Sequence, residues 1–188
     1  LFPVALMWAP ALVQAATYSV NNDSTLRTAL GSALDGDTIV LTGDIVLTDN
    51  LPPITRNLTI NGGNFGLDGA NSYRGFFVQQ GAVSIRQIDI SRTKAQGGAG
   101  GGNGGGGMGA GGGLFVNNVA VVTLTDVSFD GNSAVGGSAT AGGWDGGGGG
   151  GMSGRGGSLA GSVYPPSGGL GGGGGCGTYG DTGQTGAG

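Results

Sequence analysis

Gly75-Phe-Phe-Val-Gln-Gln80 leads into Ala82-Val-Ser-Ile-Arg-Gln-Ile-Asp-Ile-Ser91 and ends in Ala95-Gln-Gly-Gly98. The same order returns as Gly113-Leu-Phe-Val-Asn-Asn118, Val121-Val-Thr-Leu-Thr-Asp-Val-Ser-Phe-Asp130 and Ala134-Val-Gly-Gly137. Val83, Ile85, Ile88 and Ile90 recur as Val122, Leu124, Val127 and Phe129 at a constant offset of 39. A repeated unit of short strands and turns predicts a solenoid, in which each unit buries its apolar face only against a neighbour. Such walls display or bind.

Alternate residues of a strand share a face, so Val83 and Ile85 point the same way. The step from Ile85 to Ile88 is three, and Leu124 to Val127 repeats it. A phase change at a fixed place predicts a corner with both segments facing inward. The offset from Ile39 to Leu58 is 19, and that from Leu58 to Val83 is 25. The offset from Val83 to Val122 is 39, of which the tract Gly97–Gly113 supplies 17, leaving 22. A rung of about 20–25 residues lies in the solenoid range. The tract then reads as a mobile loop inserted at one corner, and a second tract leaves from the equivalent corner after Ala134. About four rungs are predicted. A β-sandwich would not explain two near-identical units with equally placed insertions.

The glycine is confined. Between positions 97 and 113 only four positions are not glycine, and the stretch 136–188 holds 26 of the chain's 49 glycines. His and Glu are absent and all 11 acids are Asp. The net charge is −4 with seven scattered Lys and Arg, which gives no nucleic-acid footprint. Cys176 stands alone, so neither a disulfide framework nor a cysteine metal site forms within the chain. Residues 1–15 are apolar, and Val13-Gln14-Ala15 offers small residues at the usual cleavage positions. They read as a secretory signal peptide without its basic region, truncated at the N-terminus and too short to span a bilayer.

Asn21-Asn-Asp23-Ser24 offers helix-capping residues before Leu26, Ala29, Leu30, Ala33 and Leu34. That spacing predicts an amphipathic helix at about 24–35, ended by Gly36. Followed by Asp35-Gly-Asp-Thr-Ile-Val-Leu41, it resembles the start of right-handed parallel β-helices of the pectin-lyase-like class. There the helix covers the end of the solenoid and blocks edge pairing. Gly111-Gly-Gly-Leu-Phe-Val116 with Val127-Ser-Phe-Asp-Gly-Asn132 resembles the Gly-Gly-Ala-(Ile/Leu/Val) and Phe-x-x-Asn signature of polymorphic outer-membrane-protein repeats. It is also similar to glycine-rich passenger domains of autotransporter adhesins. Phe129 would fill the core, and Asn132 would take a left-handed turn and bond its own backbone. The first copy departs from the signature, with Ile90 for Phe and Thr93 for Asn. The resemblance implies a C-terminal translocator barrel outside this chain.

Chemistry has few carriers. Without His, paired carboxylates are the next option. Asp35 and Asp37, Asp44 and Asp49, and Asp126 and Asp130 each suit turns better. Asp89 and Arg86 stand three apart without a ladder of carboxylates beside them. Gly62-Gly-Asn-Phe-Gly-Leu-Asp68 approaches a calcium-binding glycine repeat but has one residue too many and occurs once. No catalytic, cofactor or metal residues are assigned, and no cofactor is expected. Met108, Trp144, Met152, Tyr164 and Tyr179 dot the tracts, as contact residues or as anchors to the wall. Ser84, Arg86, Thr123 and Thr125 would form outward ladders suited to a sugar or protein surface. Packing of the tracts as polyglycine helices, giving a flat surface, would need a Gly-x-x period.

The expectation is therefore an all-β chain: a right-handed parallel β-helix over 16–137, with a cap helix and the insertion 97–113. It follows a signal peptide at 1–15 and precedes a glycine-rich segment at 138–188. The expected role is an exported, bacterial cell-surface or extracellular, adhesin-like passenger without catalysis. Its partner would be a host or surface glycan or protein, not nucleic acid. The alternative is part of a carbohydrate-active β-helix enzyme, a polysaccharide lyase or hydrolase, whose site lies outside this fragment.

Overall fold

The computed structural model describes residues 14–101, 104–139 and 151–152. It is mostly β, with parallel sheets and a single helix among the described residues. Strand β1 (Thr17–Val20) is followed by helix α1 (Asp23–Ser32), β2 (Thr38–Leu41), β3 (Ile45–Val46) and β4 (Leu58–Asp68). Then come β5 (Phe76–Val78), β6 (Gly81–Ser91), β7 (Lys94–Gln96), β8 (Leu114–Val116), β9 (Ala120–Asp130) and β10 (Ser133–Val135). The large sheet runs β1-β2-β4-β6-β9, with β3 also on β4, and every pairing is parallel.

The repeat read from the sequence sets this register. Val83 pairs with Val122, Ile85 with Leu124, Ile88 with Val127 and Ile90 with Phe129. The flanks of the two units pair as well, β5 with β8 and β7 with β10. The second unit therefore aligns with the first in three places. The corner is real but does not break the strand. β6 and β9 stay continuous by placing Gln87 (φ 52°) and Asp126 (φ 53°) in the left-handed region. One residue so turned shifts the alternation, and both Ile85 and Ile88 are buried.

Elsewhere the expectations shift. Ile39 pairs with Ile60, not Leu58, so the expected offset of 19 becomes 21. Five strands succeed one another in the large sheet because β1 also joins it through β2. The helix ends at Ser32 with Ala33 as its cap, and Leu34 stays in solvent (53% exposed). Asn22 starts it, its side chain accepting from the Thr25 amide at 2.9 Å. Leu26, Ala29 and Leu30 turn into the core, and α1 packs against β1 at the sheet's end. The core is files of aliphatic side chains, one per strand: Ile39, Ile60 and Ile85 in one, Ile45, Leu67 and Ile90 in another.

The tract was expected to be a loop, and in its described parts it is a bonded layer. The Gly97 amide donates to the Val135 carbonyl (2.8 Å), Gly98 to Gly151 (2.7 Å) and Gly100 to Ser138 (3.0 Å). Gly107 in turn donates to Gly98 (2.7 Å) and Gly137 to Gly107 (2.8 Å). One segment thus bonds three different neighbours, whereas a strand in a flat sheet reaches two. Backbones approach so closely that a β-carbon on Gly106 would collide with the Gly137 carbonyl, and one on Gly109 with the Val135 carbonyl. Glycine is needed here for room, not for freedom.

Candidate functional site

The side chains singled out from the sequence occupy different walls, and most of the carboxylates serve the backbone. Asp37 accepts from the amides of Ala16 (2.7 Å) and Leu34 (2.8 Å). Those two bonds hold its carboxyl below the ordinary range, against the upward push of burial. Asp35 accepts from the amide of Asn57 (2.8 Å), and the Asn57 side chain from the amide of Ala82 (2.8 Å). Asp44 accepts from the amide of Gly66 (2.8 Å). These side chains tie one unit to the next. Asp35 and Asp37 therefore do not form a facing pair.

Asp23 is also buried. Burial pushes its carboxyl up, but the bonds from Arg27 and Thr48 bring it below the ordinary value. Asp68 is held low by Arg92, whose Nε lies 3.0 Å from Oδ1. Asp89 receives the hydroxyl of Ser128 on the next strand, and Arg86 does not pair with it. Arg86 and Asp89 are separated by the corner at Gln87. The glycine motif 62–68 forms part of β4, including the register shift between Asn61 and Phe65, rather than a calcium loop. Among the described residues no three acidic or sulfur ligands converge.

Two motif residues behave differently from expectation. Phe129 is 45% exposed, because it lies on β9, the edge strand of the large sheet, and nothing described stacks on its outer side. Its ring instead lies over Gly113, where a β-carbon would collide with it. Asn132 does not bond its own backbone, and the left-handed residue beside it is Gly131 (φ 59°). Its side chain bonds Thr93 and Ile90 of the preceding unit. Met108 points into solvent (59% exposed). Met152 is tied down through its carbonyl by buried Arg74 (2.9 Å), whose guanidinium lies over the Phe77 ring. Trp144, Tyr164, Tyr179, Cys176 and the apolar segment before Gln14 lie outside the described residues.

The outward ladders anticipated at Ser84 and Thr123 extend further than the repeat alone reveals. Register places Thr17, Thr38, Thr59, Ser84 and Thr123 in one file across five strands. They alternate with buried residues such as Ile39, Ile60 and Ile85, so they face away from the core. None of the five hydroxyls has a protein partner among the described residues. A groove of about 240 Å³ runs beside the file, lined by Asn57, Thr59, Ala82, Ser84, Val121 and Thr123 among others. The next outward file is Ser19, Val40, Asn61, Arg86 and Thr125. The sequence signal for this surface was a hydroxyl directly before an inward aliphatic, as in Ser84-Ile85 and Thr123-Leu124. β1 and β2 have no recognisable repeat to fix their alignment.

No protein-family model, curated protein or solved structure matches this chain.

Proposed function

We propose that the chain is a segment of a right-handed parallel β-helix, exported and displayed at or released from a bacterial surface, where it acts as an adhesin-like scaffold without catalysis of its own. The observation that carries this reading is the threefold alignment of successive units: β6 on β9, β5 on β8 and β7 on β10, all parallel. Parallel strands require a crossover between them. Here the crossover is the rest of the unit, pairing in turn with its own predecessor. The apolar segment preceding β1 supports export, and the Gly111–Val116 and Phe129–Asn132 pattern supports a passenger-type repeat. Of the carboxylates weighed for catalysis, Asp35, Asp37 and Asp44 are engaged by backbone amides of other strands or turns.

The test is made on cells carrying the native gene. Protease shaving of intact cells should release peptides from the region 16–137, and deletion of the gene should reduce adherence to a glycan- or protein-coated surface. Retention of the protein in the cytoplasm, or unchanged adherence in the deletion strain, would remove this reading.

A further inference from the structure

The stack of units is open at β9. Val122, Leu124, Val127 and Phe129 hold the inward positions that Val83, Ile85, Ile88 and Ile90 hold in β6. With β9 packed on them, the β6 residues are at most 2% exposed, whereas Leu124 is 43% exposed. Of the nine large apolar side chains exposed among the described residues, six (Val116, Val119, Val121, Leu124, Phe129 and Val135) lie between positions 114 and 135, so apolar surface is concentrated on this end. The chain leaving β10 does not turn over it in its described parts. The Ser138 carbonyl accepts from Gly100, and the carbonyls of Gly151 and Met152 accept from Gly98 and Arg74, all in or beside the first unit.

The opposite end of another copy cannot cover this surface. There α1 packs on β1 and turns Ser24, Thr25, Thr28 and Ser32 to solvent, which would set apolar side chains on hydroxyls. A second open end can. The inward pattern of β9 is a palindrome about the corner. A two-fold axis in the contact plane, between Thr125 and Asp126, sets β9 antiparallel to β9 of a second copy. Val122 then lies opposite Phe129 of the partner subunit, and Leu124 opposite the partner's Val127. Outward, Thr123 meets the partner's Ser128, and Asp126 and Asp130 meet Thr125 and Val121, so no carboxylate directly faces another. The same rotation lays β8, the short strand before β9, over the partner's β10, the short strand after it. The contact draws on positions 114–135, 22 residues, within the roughly 20–30 a side of a standard interface.

We infer that this open end is a homodimer interface, with β9 paired antiparallel to β9 of a second copy about the corner. The inference does not rest on surface display, and it is tested on the purified full chain. Sedimentation equilibrium over micromolar concentrations should show a monomer–dimer equilibrium. Leu124→Asp should lower the association constant about a hundredfold, because it sets an unpaired carboxylate in an apolar contact. Its circular dichroism should match the parent's, since Leu124 already meets solvent within one chain. Cysteines test the register in a Cys176→Ser background. Thr123→Cys and Ser128→Cys proteins should cross-link on oxidation when mixed, and neither should do so alone. A monomer at every concentration would overturn the inference, leaving the end to solvent or to chain beyond position 139. So would a dimer indifferent to Leu124→Asp, or one that cross-links each single variant as readily as the mixture. The cell-based test of surface display stands apart from all of these results.

Discussion

Asn132 reaches back one unit to Thr93. Its Oδ1 accepts from the Thr93 amide at 2.9 Å and from the Thr93 hydroxyl at 2.7 Å, while its Nδ2 donates to the Ile90 carbonyl at 2.8 Å. Thr93 is fully buried. The pair occupies the same place in two successive units, at the repeat offset of 39.

Asn132→Ala removes all three bonds and leaves the buried Thr93 amide without its acceptor. The expected loss is about 2–3 kcal/mol, the cost of orphaning a buried donor plus the lost bonds. Urea denaturation followed by circular dichroism measures it. Asn132→Asp keeps the acceptor, loses the donor, and should fall between the two.

The glycine tract offers a position-specific contrast. Gly109→Ala would drive a methyl into the Val135 carbonyl and should cost about 1–3 kcal/mol, as over-packing does. Gly105 has nothing within 4 Å of a β-carbon. Gly105→Ala should therefore be neutral or stabilising by up to about 1 kcal/mol. Equal effects at both positions would show that the tract is not packed. Amide exchange gives a second reading: Gly97, Gly98 and Gly107 should be protected.

Ile90 and Phe129 are register partners with unequal burial, 0% and 45% exposed. Ile90→Ala should cost about 2–5 kcal/mol. Phe129→Ala should cost only about 1 kcal/mol, because about half of that side chain already meets water. A larger loss at Phe129 would mean that further chain covers it.

Acid should weaken the fold through Asp37 and Asp68. Both carboxyls are held below the ordinary value, Asp37 by the Leu34 and Ala16 amides and Asp68 by Arg92. A depressed folded-state pKa contributes stability in full above the unfolded value of about 3.9, and the contribution disappears as pH falls through the folded value. Asp37→Asn should therefore be less stable than the parent at pH 7, and the difference should shrink as pH falls below the unfolded value and through the lower folded one, as the parent's carboxylate takes up its proton. Parallel stability curves for the two proteins would contradict the assignment. The Asp68–Arg92 pair is partly solvated and should add less.

Much was written in the residues themselves. The offset of 39 determined which strand of one unit lies on which strand of the next, because only that alignment stacks Val83, Ile85, Ile88 and Ile90 on apolar partners. The step of three located the corner, since a strand cannot change phase without one residue leaving extended geometry. The outward hydroxyls were visible at Ser84 and Thr123. Their continuation to Thr59, Thr38 and Thr17 was not, because β2 and β4 pair at an offset of 21 and nothing repeats there to mark it.

What the repeat determined by itself is the order and inward pattern of the strands, which follow from local alternation and the need to bury aliphatic faces. The role of the glycine was decided only in three dimensions. Nothing in a run of glycines says what it lies against, and a sequence without side chains carries no pattern of burial. Bonds that join residues 97–100 to the segment Val135–Ser138, to Gly151 and to Gly107, and the collisions that any β-carbon on Gly106 or Gly109 would cause, turn the tract from an expected loop into a layer. The same holds for the carboxylates. Asp35 and Asp44 look like turn residues in isolation, and only the neighbouring unit supplies the amides of Asn57 and Gly66 that they accept.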